Sequence, residues 1–239
     1  MMNLLIDIGN SLVKAAIYEN RKVFKEFKFN DLYTHEIVRI IKKYKVINSA
    51  LSNVSNPNPK LEIILEDKTS FFSFKKDIKM PINSPYNLNE VGDDRLALML
   101  AAYDEFPNDN VLVIDMGTCI TYDLKTSSSE YRAGGISPGL NMRIKSISDG
   151  AFKLNYINPE YPKSYIASDT KSSLEIGIIL GIKHEIDGFI NKYSSSFSDL
   201  KVVITGGDSK ILSGKIKNTI FTNSNYIFKG LDFLIEYNK

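Results

Sequence analysis

Two short stretches determine the fold: Leu4-Leu5-Ile6-Asp7-Ile8-Gly9-Asn10-Ser11 and Leu112-Val113-Ile114-Asp115-Met116-Gly117-Thr118-Cys119. In both, a hydrophobic run typical of a buried β-strand leads into an Asp-x-Gly turn, and a second β-prone run follows. Each copy therefore predicts a β-hairpin with a polar tip. The two aspartates are 115 − 7 = 108 residues apart, and this internal repeat predicts a chain built from two similar halves.

The remaining patterns predict an α/β protein in which each half begins with strands and continues with helices. We expect further strands near 22–29, 47–51, 71–74 and 201–204, and helices at 32–43, 60–68, 94–103, from 140 onward and at 172–193. Glycine and proline at 134–139 predict a loop before the helix at 140. The sequence has no low-complexity segment or long linker between the halves, so we expect domains at 1–108 and 109–239 that share a cleft.

The composition excludes several classes of protein. The chain has 239 residues, 43% of them hydrophobic, which is enough for a buried core. A formal net charge of +2 gives no strong attraction to nucleic acid or anionic lipid, and we expect neither as a partner. One cysteine excludes an intrachain disulfide, and two histidines in unrelated contexts give no zinc spacing. We expect a cytoplasmic protein without targeting or membrane-spanning segments.

The hairpin tips have the chemistry of a phosphate-binding site. Glycine lets backbone N–H groups approach a polyphosphate, amide and hydroxyl side chains donate hydrogen bonds, and a carboxylate can hold a hydrated cation. The residues that supply these groups are Gly9, Gly117, Asn10, Ser11, Thr118, Asp7 and Asp115, with Lys14 adding a positive charge. A single turn of this kind also occurs in hairpins without a ligand. Two copies at matching places favour a phosphate site.

A third motif, Gly92-Asp93-Asp94-Arg95, stands at the start of a predicted helix. Phosphoryl transfer needs one carboxylate that accepts the proton of the attacking hydroxyl, and the positive end of a helix dipole keeps a carboxylate ionised. Asp94 is therefore a candidate base. The alternative is that Asp93 and Asp94 only cap the helix and that Arg95 is a surface cation.

These motifs are followed by AGGISPGL at 133–140, by Thr170, and by TGGD at 205–208. In this order they resemble the motifs of the type III pantothenate kinases, and the resemblance covers nearly the whole chain. It implies a duplicated ribonuclease H-like α/β fold, as in actin-like ATPases, with two lobes around a nucleotide cleft. It also implies ATP-dependent phosphorylation of pantothenate to 4′-phosphopantothenate, the first step of coenzyme A biosynthesis.

The resemblance implies a role for each matching residue. Asp94 would be the catalytic base, and Asp115 would hold a monovalent cation, potassium or ammonium. ATP would bind Asp7, Ile8, Gly9, Asn10, Ser11, Leu12, Val13, Lys14 and Thr118, with Asp7 also helping to hold Mg²⁺ through water. The substrate side would comprise Gly92, Asp93, Asp94, Arg95, Thr170 and Tyr86. Thr170 is equally well explained as the cap of the helix that follows it.

The sequence departs from the family pattern mainly on the pantothenate side. Pro85 stands where the family has a substrate-binding tyrosine, which leaves Tyr86 one place away, and Leu88 replaces a proline. The family's Leu-Pro pair after the glycine loop appears as Leu154-Asn155. The phosphate motifs keep the family pattern, so kinase chemistry is better supported than the identity of the substrate.

The resemblance also implies a homodimer. Two other functions stay open at this point. One is a kinase of the same superfamily that acts on another small hydroxyl compound. The other is a non-catalytic, nucleotide-binding regulator of the transcriptional accessory type, against which an intact Asp94 argues because a pure binder needs no base.

Overall fold

The computed structural model describes residues 1–31, 33–75, 78–151, 154, 156–217, 219–221 and 225–239. The chain folds into two units that are each built around one sheet. The first unit comprises Met1–Pro107, Ser128–Tyr131 and Asn225–Lys239, and the second comprises Asn108–Ser127 and Arg132–Ser224.

The first unit contains a five-stranded mixed sheet in the order β3-β2-β1-β4-β5. Its elements are β1 (Met2–Ile8), β2 (Val13–Glu19), β3 (Lys22–Phe29), α1 (Thr34–Tyr44), β4 (Asn48–Asn53), α2 (Pro59–Lys68), β5 (Ser70–Ser73), α3 (Asp93–Glu105) and the C-terminal α7 (Tyr226–Asn238). β1, β2 and β3 pair antiparallel, whereas β4 runs parallel to both β1 and β5.

Alternating side chains of β1 explain the core of this unit. Leu4, Ile6 and Ile8 belong to one cluster with α1 and α2, whose contributions include Ile37 and Leu61. α7 contacts β1 and β4, so the central strand is covered on both faces. A strand that is buried on both faces needs a continuous hydrophobic run, which is the pattern that the sequence shows.

α7 packs against α3 at very short range. A Cβ built on Gly230 would lie 1.7 Å from the carbonyl oxygen of Ala97. The absence of a side chain at Gly230 therefore allows the two helix backbones to approach each other. Tyr103 and Phe233 extend the contact, with ring centroids 5.6 Å apart.

The second unit repeats this arrangement with a sheet in the order β10-β9-β6-β7-β8. Its elements are β6 (Val111–Met116), β7 (Cys119–Lys125), β8 (Tyr131–Pro138), α4 (Leu140–Gly150), α5 (Thr170–Glu175), α6 (Gly181–Ser194), β9 (Lys201–Thr205) and β10 (Ile220–Phe221). β6 pairs antiparallel with β7 and parallel with β9, as β1 does with β2 and β4. The predicted duplication of an α/β fold is confirmed.

Several element bounds differ from the sequence-based predictions. Residues 134–138, predicted as a loop, belong to β8; a Cβ on Gly134 would lie 1.8 Å from the carbonyl oxygen of Tyr122, so this glycine permits close strand contact. The helix predicted at 172–193 is interrupted by a π-helical turn at Ile176–Leu180. The start of the helix predicted at 32–43 falls on residue 32, outside the described residues, and α1 begins at Thr34.

Compared with the predicted domains 1–108 and 109–239, residues 225–239 join the first unit instead of the second. The strongly apolar face of α7, which covers the first sheet, accounts for this difference. Within the described ranges, no helix combines the length and the apolar character that crossing a bilayer requires.

Candidate functional site

The first hairpin forms a narrow polar tip at the end of β1. The backbone N–H of Gly9 donates to the carbonyl oxygen of Leu12 over 3.2 Å, which closes the turn between β1 and β2. Beside the tip lies a cavity of about 230 Å³. Its lining residues are Ile8, Gly9, Asn10, Ser11, Leu12, Val13, Asn30, Asp31, Ser55, Asn56 and Asn58. The hairpin predicted to bind phosphate therefore borders a polar cavity.

Asp7 is a buried carboxylate near the end of β1, 9% exposed. The Ser52 hydroxyl donates to its Oδ1 over 3.2 Å, and Lys14 is its register partner on β2. Burial raises the pKa of Asp7 from 3.8 to about 6; Lys14 lowers this pKa, and the negative charge of Asp94 raises it. The sheet therefore brings Asp7, Asp94 and Lys14 within electrostatic range of one another.

The end of β4 also holds the predicted catalytic loop. The backbone N–H of Asn53 donates to Oδ2 of Asp93 over 3.0 Å, and Asp93 is 7% exposed. Burial raises the pKa of Asp93, while the bond from Asn53 lowers it. Asp93 thus fixes the first turn of α3 to β4. β4 lies next to β1, and β1 carries Asp7.

Asp94 follows in the same turn of α3 and is half-buried. Its Oδ1 accepts from the backbone N–H of Arg95 over 2.7 Å. A Cβ on Gly92 would lie 2.6 Å from that oxygen, so a side chain at this position would displace the Asp94 carboxylate. Gly92 is the residue that precedes α3 and has no side-chain cap bond. The N-cap residue is thus Gly92 and neither Asp93 nor Asp94, and both aspartates lie inside the first turn of α3.

The second hairpin is held by the glycine that precedes α4. The N–H of Gly117 donates to the carbonyl oxygen of Cys119, and the N–H of Gly139 donates to that of Thr118 over 3.0 Å. A Cβ on Gly139 would lie 2.3 Å from the oxygen of Gly117 and 2.4 Å from that of Thr118. The backbone at Gly139 therefore rests directly on the hairpin tip, and α4 begins there with its N-terminal N–H groups.

Asp115 lies in β6 beside the end of β9. Its register partner is Thr205, which is followed by Gly206 at a φ of +97°. A Cβ on Gly206 would lie 2.5 Å from Oδ1 of Asp115 and 2.4 Å from the carbonyl oxygen of Met116. Positive φ and this close approach both require glycine. The Asp115 carboxylate is therefore packed directly against the backbone of Gly206, which fixes where its oxygens lie.

The structure groups the predicted residues by unit. Asp7, Lys14 and Asp94 come together in the first unit, and Asp115 and Thr118 flank the second hairpin. Among the described contacts, none joins Tyr86 or Thr170 to these groups.

Those two residues, Tyr86 and Thr170, lie in exposed positions. Tyr86 is 45% exposed in a turn where its N–H donates to Ser84. Thr170 is the first residue of α5, whose cap is Asp169 with a side chain that accepts from the N–H of Ser172. The alternative in which Thr170 caps that helix is wrong. Leu88 lies in a 3₁₀ turn, and the Leu154-Asn155 pair falls partly outside the described residues.

Sequence reasoning missed Ser52 and Asn53, which bind the two aspartates of the first unit. The signal was weak, because β4 reads Asn-Ser-Ala-Leu-Ser-Asn and has only two apolar residues, although adjacent parallel strands bring their carboxyl ends to the same sheet edge. Gly206 was noted as part of a motif, yet its approach to Asp115 depends on the pairing of β6 with β9.

Mg²⁺ fits the first unit. Among the described residues, no three His, Cys, Asp or Glu side chains cluster as a metal cage. Mg²⁺ keeps several waters and binds through one or two carboxylates plus substrate phosphates, so it does not need such a cage. A buried carboxylate whose pKa is raised gains from a nearby cation, and Asp7 has this property beside the phosphate hairpin.

Comparison with known proteins gives one consistent result. The family model for type III pantothenate kinase matches residues 3–192. The chain is 41% identical to the type III pantothenate kinase of Christiangramia forsetii, over 100% of this chain and 99% of that protein. It is 34% identical to the type III pantothenate kinase of Flavobacterium johnsoniae, over 99% and 98% of the two chains.

A solved structure with the same fold comes from Campylobacter jejuni, from a conserved protein named as a candidate Baf family transcriptional activator. It has a TM-score of 0.65 and 24% identity over 98% of this chain and 97% of that chain. At this identity the likeness shows the fold. The family match and the full-length relatives carry the assignment: the chain belongs to the type III pantothenate kinase family.

Proposed function

We propose that Asp94 is the catalytic base of this chain and that the two hairpins bind the phosphates of ATP. As a member of its family, the chain is a kinase that phosphorylates pantothenate in coenzyme A biosynthesis. The observation that carries the residue assignment is the placement of Asp94 in the first turn of α3, in electrostatic contact with Asp7 at the phosphate hairpin.

The proposed reaction is a direct transfer. The primary hydroxyl of pantothenate attacks the γ-phosphorus of ATP, its proton passes to the Asp94 carboxylate, and the bond to the bridging oxygen breaks to release ADP. The first turn of α3 places Asp94 at the positive end of the helix dipole, which favours the ionised, proton-accepting form. Gly92 leaves space for this carboxylate, and Asp93 anchors the turn through Asn53.

The phosphates are bound mainly by backbone and short polar groups. In the first unit Asn10 and Ser11 line the cavity and supply hydrogen-bond donors, and Lys14 supplies positive charge. In the second unit Thr118 is the proposed phosphate contact, at the point where Gly139 and the start of α4 meet the hairpin. This arrangement neutralises charge without any covalent intermediate.

On the substrate side, we assign pantothenate to Gly92, Asp93, Asp94, Arg95, Tyr86 and Thr170. Arg95 is the cation suited to the carboxylate of pantothenate, because guanidinium forms bidentate pairs with carboxylates. Asp93 contributes through the position of the loop, since its carboxylate is buried against Asn53. Tyr86 and Thr170 are exposed and available for contact.

Two cations complete the proposal. Asp7 would hold Mg²⁺ through water, and Asp115 would hold potassium or ammonium. Bound cations neutralise the phosphate charge that develops during transfer. The residues of this chain orient the phosphates and place the base.

We further propose that the enzyme works as a cytoplasmic homodimer. Four apolar side chains of the second unit are exposed and would lose their contact with water in a subunit interface. They are Ile136, Met142, Tyr165 and Ile166, exposed by 61%, 43%, 70% and 84%. Solution mass measurement tests the dimer, and a monomer at micromolar concentration would contradict it.

ADP formation from ATP and Mg²⁺, with and without pantothenate and in potassium or sodium buffer, tests the reaction. Wild type should give pantothenate-dependent and potassium-dependent ADP, with phosphopantothenate confirmed by mass. Asp94→Asn should lose this activity while still binding ATP. Asp67→Asn removes a carboxylate that is 69% exposed on α2 and should leave activity unchanged.

Pantothenate-dependent turnover by Asp94→Asn at the wild-type rate would refute the assignment of the base. ATP binding without pantothenate turnover by wild type would favour the regulatory alternative.

A further inference from the structure

A carboxylate on α6 ties together three elements of the second unit, outside all the residues assigned above. Oε1 of Glu185 accepts from the hydroxyls of Tyr122 and Ser137, over 2.7 and 2.5 Å. Its Oε2 accepts from the guanidinium of Arg143 over 2.5 Å. We call these four residues the loop clamp. Through it, α6 is connected to β7, to the end of β8 and to α4.

The loop clamp binds the Ser137–Gly139 segment, which contacts the second hairpin. Ser137 is two residues before Gly139, and Arg143 donates through Nε to the carbonyl oxygen of Pro138 over 2.8 Å. Gly139 in turn donates to Thr118 and has no room for a Cβ against the hairpin. A displacement of the Ser137–Gly139 segment would therefore move the backbone at Thr118.

The environment of the loop clamp determines the protonation states of Glu185 and Tyr122. Burial would raise the pKa of Glu185, but the hydrogen bonds from Arg143, Ser137 and Tyr122 outweigh it and lower the pKa. Burial and the neighbouring carboxylate raise the pKa of the Tyr122 phenol. Glu185 is thus ionised and Tyr122 neutral at neutral pH, so Tyr122, Ser137 and Arg143 can each donate a hydrogen bond to the Glu185 carboxylate.

Hydrophobic packing already holds the same elements together. The ring of Tyr122 stacks on Phe189 of α6, with centroids 3.9 Å apart, and Leu140 and Ile144 of α4 belong to the core cluster. Replacing a buried ion pair by apolar residues is often neutral for stability, so the Glu185–Arg143 pair is not needed to explain why these elements associate. The loop clamp is therefore suited to setting the exact position of elements whose association is secured by other contacts.

We propose that Glu185 is a positioning residue for ATP: it holds the Ser137–Gly139 segment so that the backbone at Thr118 keeps the geometry that binds phosphate. This inference rests on the proposed role of Thr118 in ATP binding. It assigns Glu185 no contact with either substrate.

Glu185→Gln is the decisive variant, because it keeps the size of the side chain but removes its negative charge and replaces one of its two acceptor oxygens by an N–H donor. Misplacement of a binding group by about 1 Å costs up to about a hundredfold in rate, so we expect kcat/KM for ATP to fall about tenfold to a hundredfold. KM for pantothenate should stay within about twofold of wild type, since the pantothenate contacts are not held by the loop clamp. Ser137→Ala, which removes the bonds of the Ser137 hydroxyl to Glu185 and Arg143 but keeps the ion pair, should lower kcat/KM for ATP by less.

Asp187→Asn is the matched control. Asp187 lies on the same helix, and its carboxylate pairs with Lys183 over 2.5 Å. This variant removes one negative charge from α6 without touching the loop clamp, and its ATP parameters should equal those of wild type. The melting temperature of each variant is measured alongside.

The proposal would be overturned if kcat/KM for ATP were unchanged in Glu185→Gln. It would also be overturned if KM for ATP and KM for pantothenate rose by the same factor. If wild type shows no pantothenate-dependent turnover, the proposed function fails. The positioning role of Glu185 is then tested separately, by measuring the affinity of each variant for ATP by calorimetry. Weaker ATP binding by Glu185→Gln than by Asp187→Asn would support the positioning role, and equal affinity would overturn it.

Discussion

Replacing Asp7 by Asn should stabilise the folded protein, by an amount that grows with pH. Asp7 is buried in the sheet, and its pKa rises from 3.8 to about 6 because burial penalises the charged form. Because this pKa is higher in the folded than in the unfolded chain, ionising Asp7 lowers the free energy of unfolding by about 3 kcal/mol. Asn has no charge and keeps an oxygen that can accept the Ser52 hydrogen bond.

The sign follows from the order of proton loss. Below pH 3.8 the carboxyl is protonated in both states, and its ionisation has no effect on stability. Between 3.8 and about 6 the unfolded chain loses its proton first, so the free energy of unfolding of wild type falls as pH rises. Above pH 6 or so, the ionised Asp7 lowers the free energy of unfolding by the full amount. Ionisation of Asp7 should therefore make Asp7→Asn more stable than wild type by about 1 kcal/mol near pH 4.5 and by about 3 kcal/mol near pH 8.

Urea denaturation at both pH values, without divalent cations, measures this difference. Asp67→Asn, which removes an exposed carboxylate from the same unit, should show no comparable growth of the difference with pH. A difference between Asp7→Asn and wild type that is the same at both pH values would refute the reasoning. The stabilised Asp7→Asn variant should also lose kinase activity, because Asp7 is proposed to hold Mg²⁺ at the phosphate hairpin.

Three glycine substitutions test the packing of the site. Gly139→Ala should lower the free energy of unfolding by at least about 2 kcal/mol and raise KM for ATP, because its Cβ would lie 2.3 Å from the Gly117 oxygen. Gly188→Ala on α6 has no atom within 4 Å of its Cβ and should instead stabilise by about 0.5–1 kcal/mol in the same denaturation assay. Gly230→Ala should destabilise by about 3 kcal/mol or more, since it forces α7 away from Ala97, and wild-type stability in this variant would contradict the close packing.

The hairpins were predictable because their signals are local. A hydrophobic run followed by Asp-x-Gly specifies a strand and a turn within a few residues, and both copies form hairpins in the structure. The first turn of α3 was predictable for the same reason, since Gly92 and the two aspartates mark a helix start.

The contacts that orient these elements were not predictable, because they join residues distant in sequence. Ser137 and Glu185 are 48 positions apart, and Asn53 and Asp93 are 40 positions apart. Such pairs depend on strand order and on the packing of helices, which a single sequence does not reveal. Gly134 illustrates the opposite error: it suggested a loop, although its lack of a side chain serves the contact of two strands.

The packing of α7 against α3 has a consequence for synthesis. A ribosome makes the helix that carries Asp94 early, then the whole second unit, and only afterwards the residues of α7. Until then the buried face of α3 lacks its partner, and newly made chains expose Ala97 and its apolar neighbours to chaperones and proteases. The proposed catalytic helix is thus among the last parts of the enzyme to mature.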